Sequence, residues 1–262
     1  MKYAIFTVST PQYSPQVAVK RVKDAGYDGI EWRVKDDPPS NTPSFWTGNL
    51  ATLPLSDLEE NAPTWRQMTE DAGLKVPAIA TYVKCDELDR VELAMRGAEA
   101  LGVPMLRIQV PSYGGSEPFT PLWKTTREQY AAVAGLAARH GVKVLLELHH
   151  RTIVPSASAA RRFLDGLDPA YVGAIYDAGN MVIEGWEHPR MALEVLGPYL
   201  AHVHLKNARW TPVETLSDGT VRWGHEFCPF DEGIADLREV MRALRQVGYD
   251  GWVTFEDFST DR

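Results

Sequence analysis

Short apolar runs alternate with longer stretches of helical periodicity along the whole chain. Residues 3–8, 29–34, 76–82, 105–110, 143–148, 172–176, 200–205 and 252–258 each carry a nearly continuous apolar run, the pattern of a strand buried on both faces. Between these runs, apolar positions recur at helical spacing from Pro15 to near Gly26, from about Ser56 to Gly73, over 86–101, in a segment ending at His140, and over 156–166, 188–197 (weaker) and 235–247. Pro at a first turn and Gly after a last turn punctuate several of them. Two long stretches fit neither period. Residues 35–54 are rich in Pro, Asn, Ser and Thr and carry Phe45 and Trp46, and residues 208–233 hold Trp210, Trp223, His225, Glu226 and Pro229.

Eight strands separated by seven helices, with no linker between them, predict a parallel sheet with crossover helices. Eight strands close a barrel, so the pattern predicts a single (β/α)8 TIM barrel domain over residues 1–262. An open doubly wound sheet is the alternative, but the first strand runs into Ser9-Thr10-Pro11-Gln12 and not into a Gly-rich phosphate loop. Only four residues follow Phe258, so the last outer helix is expected to be lacking. Ile5, Val253 and Phe255 would then face outward uncovered. A patch of that kind predicts a homo-oligomer, a two-fold dimer above all, unless the long loops fold back over it.

The chain has 262 residues, 44% hydrophobic and 24% charged, enough for a large core. A net charge of −8 with no Lys/Arg run argues against a nucleic-acid partner. No apolar run approaches the roughly 18 residues of a membrane span, and the short β-like start does not resemble a signal peptide. Two distant cysteines, Cys85 and Cys228, exclude a disulfide framework and a Cys-based zinc site. A cytoplasmic protein is expected.

The chemistry concentrates where strands end. Glu147, Asp177, His204 and Glu256 close or nearly close the last four apolar runs. An ionised group there is costly unless it is paired or binds a cation, and barrel enzymes place their chemistry at this end of the strands. By alternation, Glu147 shares its direction with Leu145 and His149, His204 with His202 and Lys206, and Glu256 with Thr254 and Phe258. If all four point inward, three carboxylates and one imidazole converge as a site for one divalent metal: Mn²⁺, Mg²⁺ or Co²⁺, with Zn²⁺ possible.

The motifs Gly-Tyr-Asp-Gly-Ile-Glu-Trp (26–32), Leu-Glu-Leu-His-His (146–150), Tyr-Asp-Ala-Gly-Asn-Met (176–181), His-Val-His-Leu-Lys-Asn (202–207) and Gly-Tyr-Asp-Gly-Trp-Val-Thr-Phe-Glu (248–256) resemble the xylose isomerase-like TIM barrels. The similarity is greatest to the sugar phosphate isomerase/epimerase branch, which includes ketose 3-epimerases. It implies one divalent metal on Glu147, Asp177, His204 and Glu256, with Glu147 and Glu256 also carrying protons on opposite faces of the substrate carbon. Asn180 departs from the many members that carry His there. The implied activity is isomerisation or epimerisation of a small carbohydrate through an ene-diolate. Dehydration of a keto-sugar or inosose on the same site is the alternative.

Further residues have two readings each. His149 lies above Glu147 as a hydroxyl ligand, whereas His150 is expected to point outward. Lys206 either binds a substrate oxygen or pairs with Asp177 or Glu256. Arg209 anchors an anion or hydroxyl, or is solvated. Asn180 and Glu31 hydrogen-bond hydroxyls, or Glu31 pairs with Arg33 or Arg107. Trp32 stacks on a sugar or packs in the core. His202 is expected to be a hydrogen-bonded core histidine. An apurinic-site endonuclease would need further His ligands that strands three, four and six do not offer. A non-catalytic sugar-binding barrel would not need two candidate proton carriers.

Overall fold

In the computed structural model of the protein, which describes residues 1–259, eight parallel strands close a barrel. They are β1 (Lys2–Phe6), β2 (Gly29–Val34), β3 (Ile79–Lys84), β4 (Met105–Gln109), β5 (Lys143–Glu147), β6 (Val172–Asp177), β7 (Leu200–Leu205) and β8 (Trp252–Phe255). Each pairs with its neighbour in sequence, and β1 pairs with both β2 (Ala4 with Gly29) and β8 (Ala4 with Thr254), so the sheet has no free edge. A two-residue strand, Thr52–Leu53, adds to β2 at the mouth.

The helices are α1 (Pro15–Asp24), α2 (Leu58–Asp71), α3 (Leu88–Leu101), α4 (Phe119–His140), α5 (Ala157–Leu164), α6 (Ala178–Ile183), α7 (Pro189–Leu196) and α8 (Leu237–Gln246). The side chains of Ser14 and Ser156 cap α1 and α5, and α3 and α4 end on left-handed Gly102 and Gly141. The main core lies between strands and helices, where Trp32, Leu58, Tyr130 and Phe163 are fully enclosed. A thinner apolar layer of Ala78, Leu145 and Ile175 fills the barrel below the strand ends. The polar groups of the mouth therefore stand on a dry floor.

Three features differ from the sequence reading. The third strand runs Ile79–Lys84, later than expected, because Pro77 has no N–H for the ladder. Asp177 caps a six-residue helix, α6, that the apolar pattern did not reveal. The stretch 208–233 is not irregular: Asn207–Thr215 and Val221–Cys228 form an antiparallel hairpin, turned at Gly219 (φ 86°). Ser217-Asp218-Gly219, between Leu216 and the β-branched Thr220 and Val221, is its signature.

The outer face of β1 and β8 is better covered than expected. Val253 is fully buried, and Phe255 is half-buried against Tyr3, Tyr27 and Phe230. The chain beyond Ser259, on which the expectation of a lacking helix bears, lies outside the described residues. Among the described residues, no helix is long and apolar enough to cross a membrane.

Closure depends on a tight contact at the start of β2. A Cβ on Gly29 would stand 2.6 Å from the Lys75 carbonyl oxygen and 2.7 Å from the Trp252 ring. Gly29→Ala is therefore expected to destabilise the barrel by about 1–3 kcal/mol, read as a lower melting temperature; an unchanged melting temperature would contradict this packing.

Candidate metal centre

Each element ends where its ligand is needed. Glu147 and Asp177 are the last residues of β5 and β6, His204 is next to last in β7, and Glu256 follows β8 directly. One ligand atom from each of the four lies within 4.8 Å of the others, and all four side chains are buried. Backbone alternation turns them inward together, and the strand register sets Asp177 beside His204 and His204 beside Thr254.

His204 is fixed from behind. Its Nε2 lies 3.1 Å from both oxygens of Glu31, and Glu31 also takes Nε2 of His202 at 2.8 Å. Burial alone would lower the His204 pKa, but the carboxylates of Glu31 and Glu256 overcome it and hold it well above the usual range. Nδ1 faces the cluster, 2.7 Å from Glu256 Oε1 and 3.6 Å from Glu147 Oε1. The protonated ring thus meets carboxylates through both nitrogens, whereas a neutral ring donating from Nε2 to Glu31 would offer its Nδ1 lone pair to a cation. An imidazole nitrogen so directed, beside three buried carboxylates, fits a divalent cation.

The structure already places a cation there. The Nζ of Lys206, almost fully buried, lies 2.5 Å from Asp177, 2.8 Å from Glu256 and 3.8 Å from Glu147. Phe227 and Phe258 cover this ammonium at 5.8 and 5.6 Å. Of the two roles expected for Lys206, ion pairing is the one observed. Burial pushes Asp177 up to about 7; Lys206 pulls the other way, and the carboxylates of Glu256 and Glu147 add to the rise.

A second cation supports Glu147. Nη1 of Arg107 donates to Glu147 at 2.6 Å, while its Nε and Nη2 donate to the Thr81 carbonyl at 3.3 Å. The sequence reading named Arg107 only as a partner for Glu31. Its signal was a charged residue of inward parity in a buried strand, Met-Leu-Arg-Ile-Gln.

Several expected substrate contacts are corrected. Glu31 is fully enclosed and engaged by two histidines, so it orients His204 and meets neither a hydroxyl nor Arg33. Trp32 alternates with Glu31 and is fully buried between sheet and helices. Asn180 is also fully buried, donating to Glu147 Oε1 (3.4 Å) and the Leu148 carbonyl (3.1 Å) and meeting His150 Nδ1 at 2.9 Å. Arg209 sits on the hairpin, paired with Glu226 and Glu232. His202 is a buried, hydrogen-bonded histidine, as expected.

His149 lines a cavity of about 270 Å³ beside Glu147, with Arg107, Gln109, Ser112 and Arg151. His150, expected to face outward, lines the same cavity and stacks on His149 at 4.4 Å. Strand geometry ends at Glu147, so alternation no longer holds three residues later. Phe45 and Trp46 from the 35–54 loop and Phe227 from the hairpin meet around Phe258, with ring centres 4.9–5.2 Å from it. Both long segments thus reach the mouth.

The xylose isomerase-like TIM barrel model matches residues 19–262. The chain belongs to this family. One similar protein is inosose dehydratase 1 of Bacillus cereus, 26% identical over 214 residues, which are 79% of this chain and 65% of that protein. The match thus spans less than two thirds of the relative's length. Among solved structures, the 3-keto-D-glucoside 4-epimerase YcjR from E. coli superposes with a TM-score of 0.72 at 17% identity, covering 100% of this chain and 94% of that one. The IolI protein with a bound zinc atom gives 0.72 at 19% identity, covering 100% and 90%. At such identities the structural likeness shows the fold.

In this family member, two variants separate the roles of the inner groups. Glu31→Gln loses the charged acceptor that fixes His204, and metal affinity is expected to fall by about 10–100-fold with the fold retained; an unchanged affinity by calorimetry would remove Glu31 from that role. Lys206→Met strips the metal-free cluster of its ammonium. It is expected to cost about 3–5 kcal/mol in chelator-treated protein, with more of that loss restored by added Mn²⁺ than wild type gains; equal melting of both chelated proteins would contradict this.

Proposed function

We propose that the protein is a metal-dependent carbohydrate lyase that removes water from a keto-sugar or inosose, beginning with proton abstraction beside the carbonyl. The observation that carries the reading is the convergence of Glu147 and Glu256 on one buried centre with Asp177 and His204. Burial opposes ionisation of both glutamates, and the adjoining cations overcome it: Arg107 for Glu147, Lys206 for Glu256. Both are therefore carboxylates at neutral pH, ready to accept a proton. A divalent ion on the four ligands would polarise the substrate carbonyl and offset the charge of the ene-diolate. Mn²⁺, Mg²⁺ and Co²⁺ suit the oxygen-rich donor set, and the zinc in IolI keeps Zn²⁺ among the candidates.

After the α-proton has gone to a glutamate, two outcomes are open. Departure of a β-hydroxyl as water, protonated by the glutamic acid so formed, completes dehydration; delivery of a solvent-derived proton to the opposite face through the other glutamate, with the first proton returned to solvent, completes epimerisation. The sequence relatives favour dehydration. The paired carboxylates and the epimerase of the same fold support epimerisation as the second reading. His149 and His150 line the adjoining cavity, which supports a role for them in meeting substrate oxygens.

The test is incubation of the Mn²⁺-loaded protein with an inosose and with D-fructose in D₂O, followed by NMR and ultraviolet absorbance. An unsaturated or dicarbonyl product identifies a dehydratase, and a new deuterated isomer an epimerase. Glu147→Gln and Glu256→Gln are each expected to slow the reaction by about two to four decades. Near-normal turnover in either variant would exclude that residue as a proton carrier, and absence of both exchange and product would sink the reading.

A further inference from the structure

The chain carries an arginine held at the junction of two cavities by a costly backbone conformation. Among the described residues, Arg151 is the one non-glycine residue with φ in the left-handed region, at 57°. That conformation disfavours a side chain with a Cβ and persists where its surroundings over-determine it. Here they do. The Arg151 N–H donates to Glu184 Oε2 at 2.6 Å, and the Arg151 carbonyl accepts from the Tyr113 N–H at 2.8 Å. The next turn is pinned by Thr152, whose hydroxyl donates to the His149 carbonyl at 2.7 Å.

Arg151, solvent-exposed, lines both of the cavities that meet here. One is the 270 Å³ cavity lined by Glu147 and His149. The other, of about 480 Å³, is walled by Glu184, Trp210, Trp223 and His225. The carboxylate of Glu184 is engaged by the backbone of Arg151, and no carboxylate pairs with the Arg151 guanidinium among the described residues. By contrast, Arg107 in the inner cavity is paired with Glu147. The outer wall is built as well: the Trp210 indole N–H donates to the Val182 carbonyl at 3.0 Å, and its ring leads through His225 (5.5 Å) to His150 (5.2 Å). A guanidinium with five donors, on a pinned backbone that lines both the metal-side cavity and an aromatic-walled one, matches the planar geometry of an anionic oxygen group.

We infer that Arg151 forms an anion subsite, and that the substrate is a carbohydrate bearing a carboxylate or phosphate at the end remote from the metal centre. The inference rests on the proposed carbohydrate chemistry for its orientation, with the carbonyl at Glu147 and the anion at Arg151. Left-handed backbone at this position favours glycine; an arginine there trades local conformational stability for a charge at the cavity mouth.

The experiment compares three ligands by calorimetry on Mn²⁺-loaded protein: D-fructose as the neutral reference, D-fructose 6-phosphate and 5-keto-D-gluconate. One or both anionic ligands are expected to bind at least about tenfold tighter than D-fructose, and which one does so tells phosphate from carboxylate. Arg151→Met should erase the difference, and Arg151→Lys should retain part of it. Arg151→Gly removes the charge while relieving the strained conformation, so it keeps the fold and must also erase the difference. Anionic ligands that bind no tighter than D-fructose, or give no heat at about 10 mM, overturn the subsite, as does a preference that survives in Arg151→Gly. Failure of the proposed reaction reads differently: deuterium exchange and product would be absent while the anion preference and its dependence on Arg151 persist.

Discussion

Compensation of buried negative charge at the barrel mouth is the constraint on which the rest of the site depends. Glu31, Glu147, Asp177 and Glu256 are all buried, Glu31 within β2 and the other three at strand ends, and each lies close to His204. Moving one carboxylate out of water costs several kcal/mol even after relaxation, so four of them require cations at contact distance. Lys206, Arg107 and the His204 ring meet that requirement in the protein as it stands. An apolar filling of the same volume would hold a barrel together at least as well. The cluster is therefore poor evidence of a stability device and good evidence of chemistry. The apolar floor of Ala78, Leu145 and Ile175 and the aromatic roof around Phe258 exclude water and strengthen every interaction between them.

The barrel supplies precision through its backbone, with little help from the loops. Closure without an edge fixes the angle between neighbouring strands, and alternation then decides which side chain faces in. Support passes from residue to residue. Glu31 holds His204, Asp177 caps α6 by accepting from the Asn180 N–H, and the Asn180 amide steadies Glu147 and meets His150. Substitution at any of these supports would move a ligand that it does not itself replace. The long 35–54 loop and the hairpin contribute walls and roof, where side chains meet solvent and the outer cavity.

What the sequence could disclose follows the same division. The eightfold recurrence of strands identifies the barrel, and the position of Glu147, Asp177, His204 and Glu256 at strand ends anticipates that the four side chains come together. Alternation within β2 also implied that an inward Glu31 excludes an inward Trp32, so only one of that pair was ever able to reach the mouth. Periodicity could not show that Glu31 would be taken by two histidines 171 and 173 residues away. It also misdirected His150, because alternation was carried past the residue where the strand ends. Arg151 had no signal at all: left-handed backbone is visible in sequence at Gly, less often at Asn or Asp, and not at Arg.

The two candidate proton carriers are held by cations of different kinds, and this makes them unequal. Arg107 is itself clamped, by the Thr81 carbonyl and by the rings of Phe6 at 5.8 Å and Tyr82 at 5.1 Å. Its guanidinium is planar and rigid, so Glu147 has a fixed partner. Glu256 is paired with Lys206, a flexible stem whose ammonium is shared with Asp177, lies 3.8 Å from Glu147 and is covered by two aromatic rings. A divalent cation held by Glu147, Asp177, His204 and Glu256 would take over the charge compensation that the Lys206 ammonium, 2.5 Å from Asp177, supplies in the metal-free cluster. Glu256 would then exchange its ammonium partner for the ion, while Glu147 would keep Arg107 beside it. The carboxylate at the end of β5 would retain a rigid partner, and the one at the end of β8 would not.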